Sequence, residues 1–221
     1  MNVALKLRYG LIFASAFALL WLLAGTALGS GVPEGGVLDF TILRNDEEIG
    51  RHTLQFEARG QDIEVRITAR VDFRFGFIPL YQFDHRAHEV WRGGELVRLS
   101  ATTADNGDDF QIEARRNDDG LTLSVNGEPT SLNADITPAS LWNIAIVKCG
   151  QILDPADGEI MLVATRDAGE ETIIVRGREI ATRHYVMTGD FERDLWYDRQ
   201  GVLMQVQFKG DDGSDIFYRL R

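Results

Sequence analysis

The chain has 221 residues, of which 34 are acidic and 23 are basic, and its formal net charge at pH 7 is −11. A protein this acidic lacks the positive surface that nucleic acid requires, so nucleic acid is excluded as a partner. Its single cysteine, Cys149, excludes an internal disulfide framework.

The N-terminus has the organisation of an export signal. Lys6 and Arg8 precede an apolar stretch at residues 11–23, and the small residues Ala27 and Gly29 follow it. This pattern predicts a secretory signal peptide over residues 1–29, cleaved after Gly29, and a bacterial periplasmic location. The alternative is an uncleaved anchor that holds the protein at the inner membrane facing the periplasm, because the stretch is long enough to span a bilayer.

The rest of the chain has the length of one domain. Residues 30–36 are rich in glycine and proline and predict a linker, and residues 37–221 predict a single β-rich domain. Its first elements are a strand at residues 37–44, a polar turn, and a returning strand at residues 49–58.

The clearest pattern lies in residues 62–91. From Ile63 to Phe77 every odd position is apolar, and the positions between them are polar or glycine. A period of two indicates a β-strand with one buried and one solvated face. Gly76 and Pro79 interrupt the pattern as a bend or bulge would, and a second strand follows with Tyr81, His85, Glu89 and Trp91 on one face.

Short strands separated by Asn-, Asp- and Gly-rich turns continue the meander. They are predicted at residues 96–103, 110–116, 121–126, 159–165, 171–175, 180–188, 191–197, 202–208 and 215–220. One segment lacks the alternation. Thr137 suits an N-cap, Pro138 a first helical position and Gly150 a C-terminal stop. These residues predict a short internal helix around residues 138–148 that covers an open mouth or edge of the sheet.

The predicted fold is therefore mainly β. About a dozen antiparallel strands at short spacing form a meander that curves into an open sheet, a half-barrel or a closed barrel.

Four pieces of sequence resemble an uncharacterised exported bacterial family, one of the domains of unknown function. They are Tyr81…His85…Glu89-Val90-Trp91, Asp105-Asn106-Gly107, Pro138-Ala139-Ser140-Leu141-Trp142-Asn143 and Asp194-Leu195-Trp196-Tyr197-Asp198…Gly201. This resemblance implies an envelope protein and supplies no catalytic residues. The layout is more remotely similar to lipoprotein-carrier and lipoprotein-like curved sheets, which hold acyl chains against an apolar concave face.

Aromatic residues supply the candidate binding site. A cavity for an apolar ligand would be lined by the aromatic residues of the strand pair, completed by tryptophans elsewhere and by a polar group that contacts a ligand headgroup. The candidates are Phe73, Phe75, Phe77, Tyr81, His85, Glu89, Trp91, Trp142, Asn143 and Trp196. The alternative is that the aromatic residues form plain core and that the polar ones satisfy one another.

No signature of catalysis or metal binding stands out. His85 and His88 would lie on opposite faces of a strand, the acidic turns lack the ligand spacing of a calcium loop, and Cys149 has no histidine near it in sequence. We therefore predict no metal, no cofactor and no catalytic residues.

Three functions remain open at this point. The first is a non-enzymatic periplasmic protein that binds an apolar or amphipathic, lipid-like molecule. The second is a structural or assembly factor that binds another envelope protein. The third is an enzyme with an unrecognised site.

Overall fold

The computed structural model describes residues 31–118, 120–132 and 136–221. The predicted signal peptide, its cleavage site after Gly29, and Ser30 lie outside the described residues. Within them, the strands are β1 Val37–Arg44, β2 Glu47–Arg59, β3 Asp62–Phe75, β4 Ile78–Arg92, β5 Glu95–Asp105, β6 Asp108–Asn117, β7 Gly120–Val125, β8 Glu128–Leu132, β9 Thr137–Pro138, β10 Gln151–Leu153, β11 Ile160–Val175, β12 Arg178–Gly189, β13 Arg193–Asp198, β14 Leu203–Lys209 and β15 Asp215–Leu220.

These strands form one sheet in the order β8-β7-β6-β5-β4-β3-β2-β1-β15-β14-β13-β12-β11-β10-β9. Every neighbouring pair is antiparallel except β9 with β10, which is parallel. Each strand pairs with the next one along the chain except β8, which does not pair with β9, and β1 also pairs with β15. The predicted antiparallel meander and mainly β fold class are confirmed.

Tight polar turns make this connectivity possible. Between β1 and β2, Asn45 and Asp46 both have positive φ, at 47° and 69°. That is the conformation of a two-residue hairpin turn, whose twist matches that of the flanking strands, and asparagine and aspartate tolerate it.

The alternation predicted for β3 is also confirmed. Val65 and Ile67 are buried, whereas Arg66 and Thr68 between them are exposed. One buried core cluster draws residues from strands along almost the whole sheet, from Leu123 on β7 to Leu153 on β10. A flat sheet could not bring these strands to one core, so the sheet curves around it.

Among the described residues, the hydrogen-bonded ladder ends at β8 and β9, which do not pair with each other. Side-chain packing covers this seam. A Cβ on Gly158, in the loop between β10 and β11, would lie 2.4 Å from Val125 Cγ2 and 3.1 Å from Ile112 Cδ1. The loop therefore presses directly on β6 and β7, and the sheet is barrel-like without a closed ladder.

The internal helix lies within the predicted range but is shorter than expected, because only the predicted start at Pro138 differs. Thr137 and Pro138 form β9, and a five-residue 3₁₀ helix spans Ile144–Lys148, with Asn143 as its N-cap. The prediction was wrong here because Pro138 suits an edge strand as well as a helix start. Of the residues between β9 and this helix, Leu141 and Trp142 are buried in the core. No helix of the described residues is long and apolar enough to cross a membrane.

Two predicted strands are one. Residues 159–165 and 171–175 belong to the single strand β11, which bends at a register shift between Asp167 and Gly169. A β-bulge of this kind interrupts the alternation in the sequence without ending the strand.

Candidate functional site

Residues 139–149, which we name the central segment, pack into the interior of the sheet through buried Leu141, Trp142 and Ile146, whereas Ala145 and Lys148 are exposed. Trp142 packs edge-on against Phe56 and Trp91, with both ring-centroid distances at 5.3 Å. The Tyr197 hydroxyl donates to the Leu141 carbonyl at 2.7 Å. Leu141 has a φ of 65°, a conformation that costs energy for a branched side chain. Contacts from the surrounding strands therefore hold the segment in place.

Glu89 joins the central segment to the sheet. Its Oε2 accepts hydrogen bonds from Trp91 Nε1 at 2.8 Å and from Trp142 Nε1 at 2.9 Å. The side chain is fully buried, and burial raises the pKa of its carboxyl, against the effect of the two indole donors. Raising the pKa favours the uncharged acid, which suits a group enclosed in a core.

A larger cavity of about 800 Å³ lies on one side of the central segment and contacts Ala139, Ser140 and Leu141. Strands β1–β6 and β13–β15 supply most of its wall, together with the loop after β10. Its aromatic lining consists of Phe73, Tyr81, Phe83, Phe110, Phe191, Phe208 and Tyr218.

Two histidines in the wall of the larger cavity are held neutral. Burial lowers the pKa of His85 to about 4, and His85 Nδ1 lies 2.9 Å from Thr103 Oγ1. Burial also lowers the pKa of His52 to about 4, and nearby His85 adds to this effect. His52 Nδ1 is buried without a hydrogen-bond partner. At neutral pH this part of the wall is therefore polar but uncharged.

A smaller cavity of about 480 Å³ lies on the other side of the central segment. Trp91, Trp142 and Asn143 line it together with Ile63 and Lys148. The Asn143 side chain is already engaged as the cap of the 3₁₀ helix, since its Oδ1 accepts from Ala145 N at 3.0 Å.

The structure thus divides the predicted site residues among several places. Phe73, Tyr81 and His85 line the larger cavity, while Trp91, Trp142 and Asn143 line the smaller one. Glu89 lies in the core. Phe77 is 98 % exposed at the tip of the β3–β4 hairpin, and Phe75 pairs with Ile78 at the same hairpin.

Trp196 lies apart from both cavities. Its ring stacks on His184 with centroids 4.3 Å apart, and its Nε1 donates to Glu171 Oε2 at 2.9 Å. Its neighbours Leu195 and Tyr197 belong to the core cluster. Because successive strand residues face opposite sides, Trp196 lies on the outer face of the sheet.

Sequence reasoning missed several residues of the larger cavity, chiefly His52, Asp154, Arg193 and Tyr218. The alternation of β2 could have placed His52 inward with buried Leu54, two residues on. For Arg193, at the start of β13, no local signal exists, since an arginine at a strand end ordinarily faces solvent.

The described part of the chain holds no cluster of side chains suited to a metal ion. No three histidine, cysteine or acidic side chains are grouped there as metal ligands. Cys149 Sγ contacts Thr137 Oγ1 and the Ala145 carbonyl oxygen, both at 3.6 Å. Neither of these groups is a base that could activate the thiol.

The fold and the cavities define a barrel-like antiparallel β protein whose sheet surrounds a central segment and two hollows. The sequence matches the DUF6134 family, a domain of unknown function, over residues 40–221. The chain belongs to this family, and the resemblance to an uncharacterised domain family is confirmed.

A solved structure has a similar fold. It is described as a β-barrel-like protein of the domain of unknown function DUF1849 from Brucella abortus. The similarity has a TM-score of 0.59 at 10 % sequence identity, and it covers 84 % of this chain and 94 % of that chain. At this identity the likeness concerns the fold alone. No protein of curated function matches the sequence.

Proposed function

We propose that this protein is a non-enzymatic binder of an apolar or amphipathic, lipid-like molecule, and that it works in the bacterial periplasm after export. The observation that carries the proposal is the larger cavity. Its volume of about 800 Å³ falls in the range of roughly 300–1,000 Å³ typical of small-molecule sites.

The lining of the larger cavity suits such a ligand. Seven aromatic side chains contribute to the wall beside aliphatic and charged ones, and burying apolar ligand surface against the rings releases about 25 cal/mol per Å² removed from water. Neutral His52 and His85 can form hydrogen bonds with a ligand. Because they carry no charge, covering them with an apolar ligand does not incur the cost of removing water from an ion.

Two matched valine substitutions test whether the larger cavity is the binding site. Val71 on β3 lines the cavity, whereas Val90 on β4 is equally half-buried but outside both cavities. Val71→Trp should fill the space and abolish binding of the neutral fluorescent probe N-phenylnaphthylamine, whereas Val90→Trp should leave it intact. Equal probe binding by folded forms of both variants would contradict the proposal.

Co-purified material gives an independent test. Native mass spectrometry of protein taken from its own envelope should show a bound lipid-like mass that Val71→Trp lacks and Val90→Trp retains. A ligand-free parent that also fails to bind the probe would overturn the binding function.

The periplasmic part of the proposal rests on the sequence of residues 1–29. Sequencing of protein from the envelope fraction should give Ser30 as the first residue. A chain that still begins at Met1 and resists carbonate extraction would instead be an inner-membrane anchored protein.

The β3–β4 hairpin tip favours a second candidate function, contact with another envelope protein. Phe77, Ile78 and Leu80 are 98 %, 61 % and 51 % exposed at this tip, and a protruding apolar group of this kind is typical of an interaction site. A photo-crosslinker at position 77 should then capture one partner protein, while one at Asn106, on the polar β5–β6 turn, should not. Equal labelling from both positions would count against this candidate.

A further inference from the structure

The side chain of Arg193 lines the larger cavity. Its guanidinium lies between two aromatic rings, with Cζ 4.0 Å from the Phe191 centroid and 3.6 Å from the Phe208 centroid. Nη1 donates to the Glu192 carbonyl at 2.6 Å. Within the described residues, no carboxylate lies within 4.0 Å of the guanidinium, although the group has five N–H donors to satisfy.

The geometry restricts where a partner for Arg193 could lie. Phe191 and Phe208 cover the guanidinium, so an acceptor must approach in the plane of the group. That approach suits a planar carboxylate, whose two oxygens match the paired N–H groups of arginine. Burial lowers the pKa of Arg193, yet an arginine remains charged under ordinary conditions.

Two further groups with spare hydrogen-bonding capacity lie on the same wall. Tyr218 stacks edge-on with Phe208 at 6.0 Å and with His52 at 5.6 Å between ring centroids. In the described part of the chain, the Tyr218 hydroxyl and His52 Nδ1 have no hydrogen-bond partner. Arg193 and Tyr218 are close enough for each to influence the ionisation of the other. Around Arg193 the wall thus combines a cation that has no ion-pair contact among the described residues with two neutral groups, whereas the other two cations of the lining, Arg44 and Lys209, are paired with Asp212 and Asp215.

Acidic residues around the same cavity are mostly engaged by other groups. Asp212 pairs with Arg44, and Asp154 Oδ1 accepts from Ala156 N at 2.8 Å. Asp154 is also near enough to Arg193 for its charge to favour the protonated guanidinium, although the two side chains make no ion-pair contact. Asp105 is hydrogen-bonded to Tyr81, and Asp157 accepts from the Glu159 backbone, while Asp211 is exposed to solvent. The negative charges of these acidic residues repel a polyanion. A ligand with an acyl chain and a single carboxylate is still accepted, because its charge is attracted by Arg193.

We propose that Arg193 and Tyr218 bind the carboxylate of a long-chain, fatty-acid-like ligand whose chain lies among the aromatic rings of the larger cavity. This inference rests on the proposed binding function and specifies its ligand class. Arg193 supplies the charge and the planar hydrogen bonds, and Tyr218 donates a further one. No covalent step is involved.

A series of ligands with the same sixteen-carbon chain and different headgroups tests the inference on the purified protein. Palmitate, hexadecanol and hexadecylamine each displace N-phenylnaphthylamine, and the displacement gives their affinities. Palmitate should bind the parent at least tenfold more tightly than hexadecanol, a difference of about 1.4 kcal/mol. Equal affinities, or tighter binding of hexadecylamine, would overturn the headgroup assignment.

Substitutions then connect the preference to the residues. Arg193→Gln should lower palmitate affinity at least tenfold and leave hexadecanol affinity unchanged, whereas Arg166→Gln, an exposed arginine outside both cavities, should change neither. Tyr218→Phe keeps the ring and removes the hydroxyl, so it should lower the affinity for palmitate several-fold. If Arg193→Gln does not fold, Tyr218→Phe is the variant that tests recognition of the carboxylate. A folded Arg193→Gln variant that keeps the full preference for palmitate would refute the inference.

The outcomes separate this inference from the proposed function. If all three chains displace the probe equally well, the cavity binds lipid-like molecules but Arg193 does not recognise a carboxylate. If no chain binds and the probe is not bound either, the proposed function itself fails.

Discussion

Removing the Glu89 carboxyl should strongly destabilise the protein. Trp91 and Trp142 donate to this carboxyl at 2.8 and 2.9 Å, and both indoles are buried. Glu89→Ala leaves two buried N–H groups without an acceptor, at roughly 1–3 kcal/mol each, or about 2–6 kcal/mol together. A typical domain has a total stability of about 5–15 kcal/mol, so this loss would be large.

Glu89→Gln should behave very differently. The amide oxygen can accept both indole hydrogen bonds, and burial, which raises the pKa of Glu89, already disfavours the charged carboxylate. We expect Glu89→Gln to stay within about 1 kcal/mol of the parent. Glu113→Ala is a control for glutamate removal on the outer face, where Glu113 accepts from Ser100 Oγ, and it should cost about 1 kcal/mol or less.

The assay is urea unfolding at pH 7 followed by tryptophan fluorescence. The free energy of unfolding should be similar in the parent and in Glu89→Gln. It should be slightly lower in Glu113→Ala and far lower in Glu89→Ala. If Glu89→Gln loses as much as Glu89→Ala, the negative charge rather than hydrogen-bond acceptance holds the two tryptophans. If Glu89→Ala costs no more than Glu113→Ala, the central segment does not depend on Glu89.

Three other outcomes follow from the described side chains. Val65→Asp buries an unpaired carboxylate and should lower the free energy of unfolding by several kcal/mol, a large part of the stability of a typical domain. Arg66→Asp, at the exposed neighbouring position, should lower it by about 0.5 kcal/mol. Similar melting temperatures for the two variants would contradict the assignment of the buried face of β3. Burial lowers the pKa of His52 to about 4, below the unfolded value of about 6.5. The unfolded chain therefore binds more protons between these values, and this histidine's contribution to stability falls as the pH drops from 6.5 to 4. The free energy of unfolding, measured with urea at pH 7 and at pH 5, should fall between these pH values by about 2 kcal/mol less in His52→Gln than in the parent. An equal fall in both proteins would show that His52 titrates normally. Cys149→Ser should leave ligand binding and melting temperature unchanged, because the hydrogen bonds of the thiol in the described part of the chain, both at 3.6 Å, are weak. Lost binding at unchanged stability would give Cys149 a functional role.

The strands and turns could be predicted because their causes are local. The alternation from Ile63 onward fixes which face of β3 is buried, and the Asn-Asp pair at residues 45 and 46 suits the positive φ of a hairpin turn. The helix could not be placed in the same way. Pro138 is compatible with a helix start and with an edge strand, and only its parallel pairing beside Leu153 decides between them.

The candidate site was predictable only in part. Phe73, Tyr81 and His85 face the larger cavity because strand parity puts them on the inner face. The same parity cannot say how far along a strand the core ends, so Phe77 falls at an exposed tip. Trp196 lies between Leu195 and Tyr197 on β13, and strand parity alone does not say which of the two faces is buried. Tyr197 bonds to the central segment and both neighbours belong to the core, so Trp196 faces outward.

The sequence by itself determined an antiparallel meander with one alternating face, because residue period and turn chemistry act over a few neighbouring positions. The tertiary structure decided what the inner face encloses. Trp142 reaches Glu89 across 53 positions, and the Tyr197 hydroxyl reaches Leu141 across 56. These long-range contacts place the central segment, separate the two cavities and leave Arg193 facing the larger one. No local pattern encodes them, because each depends on how far the whole sheet curves around its core.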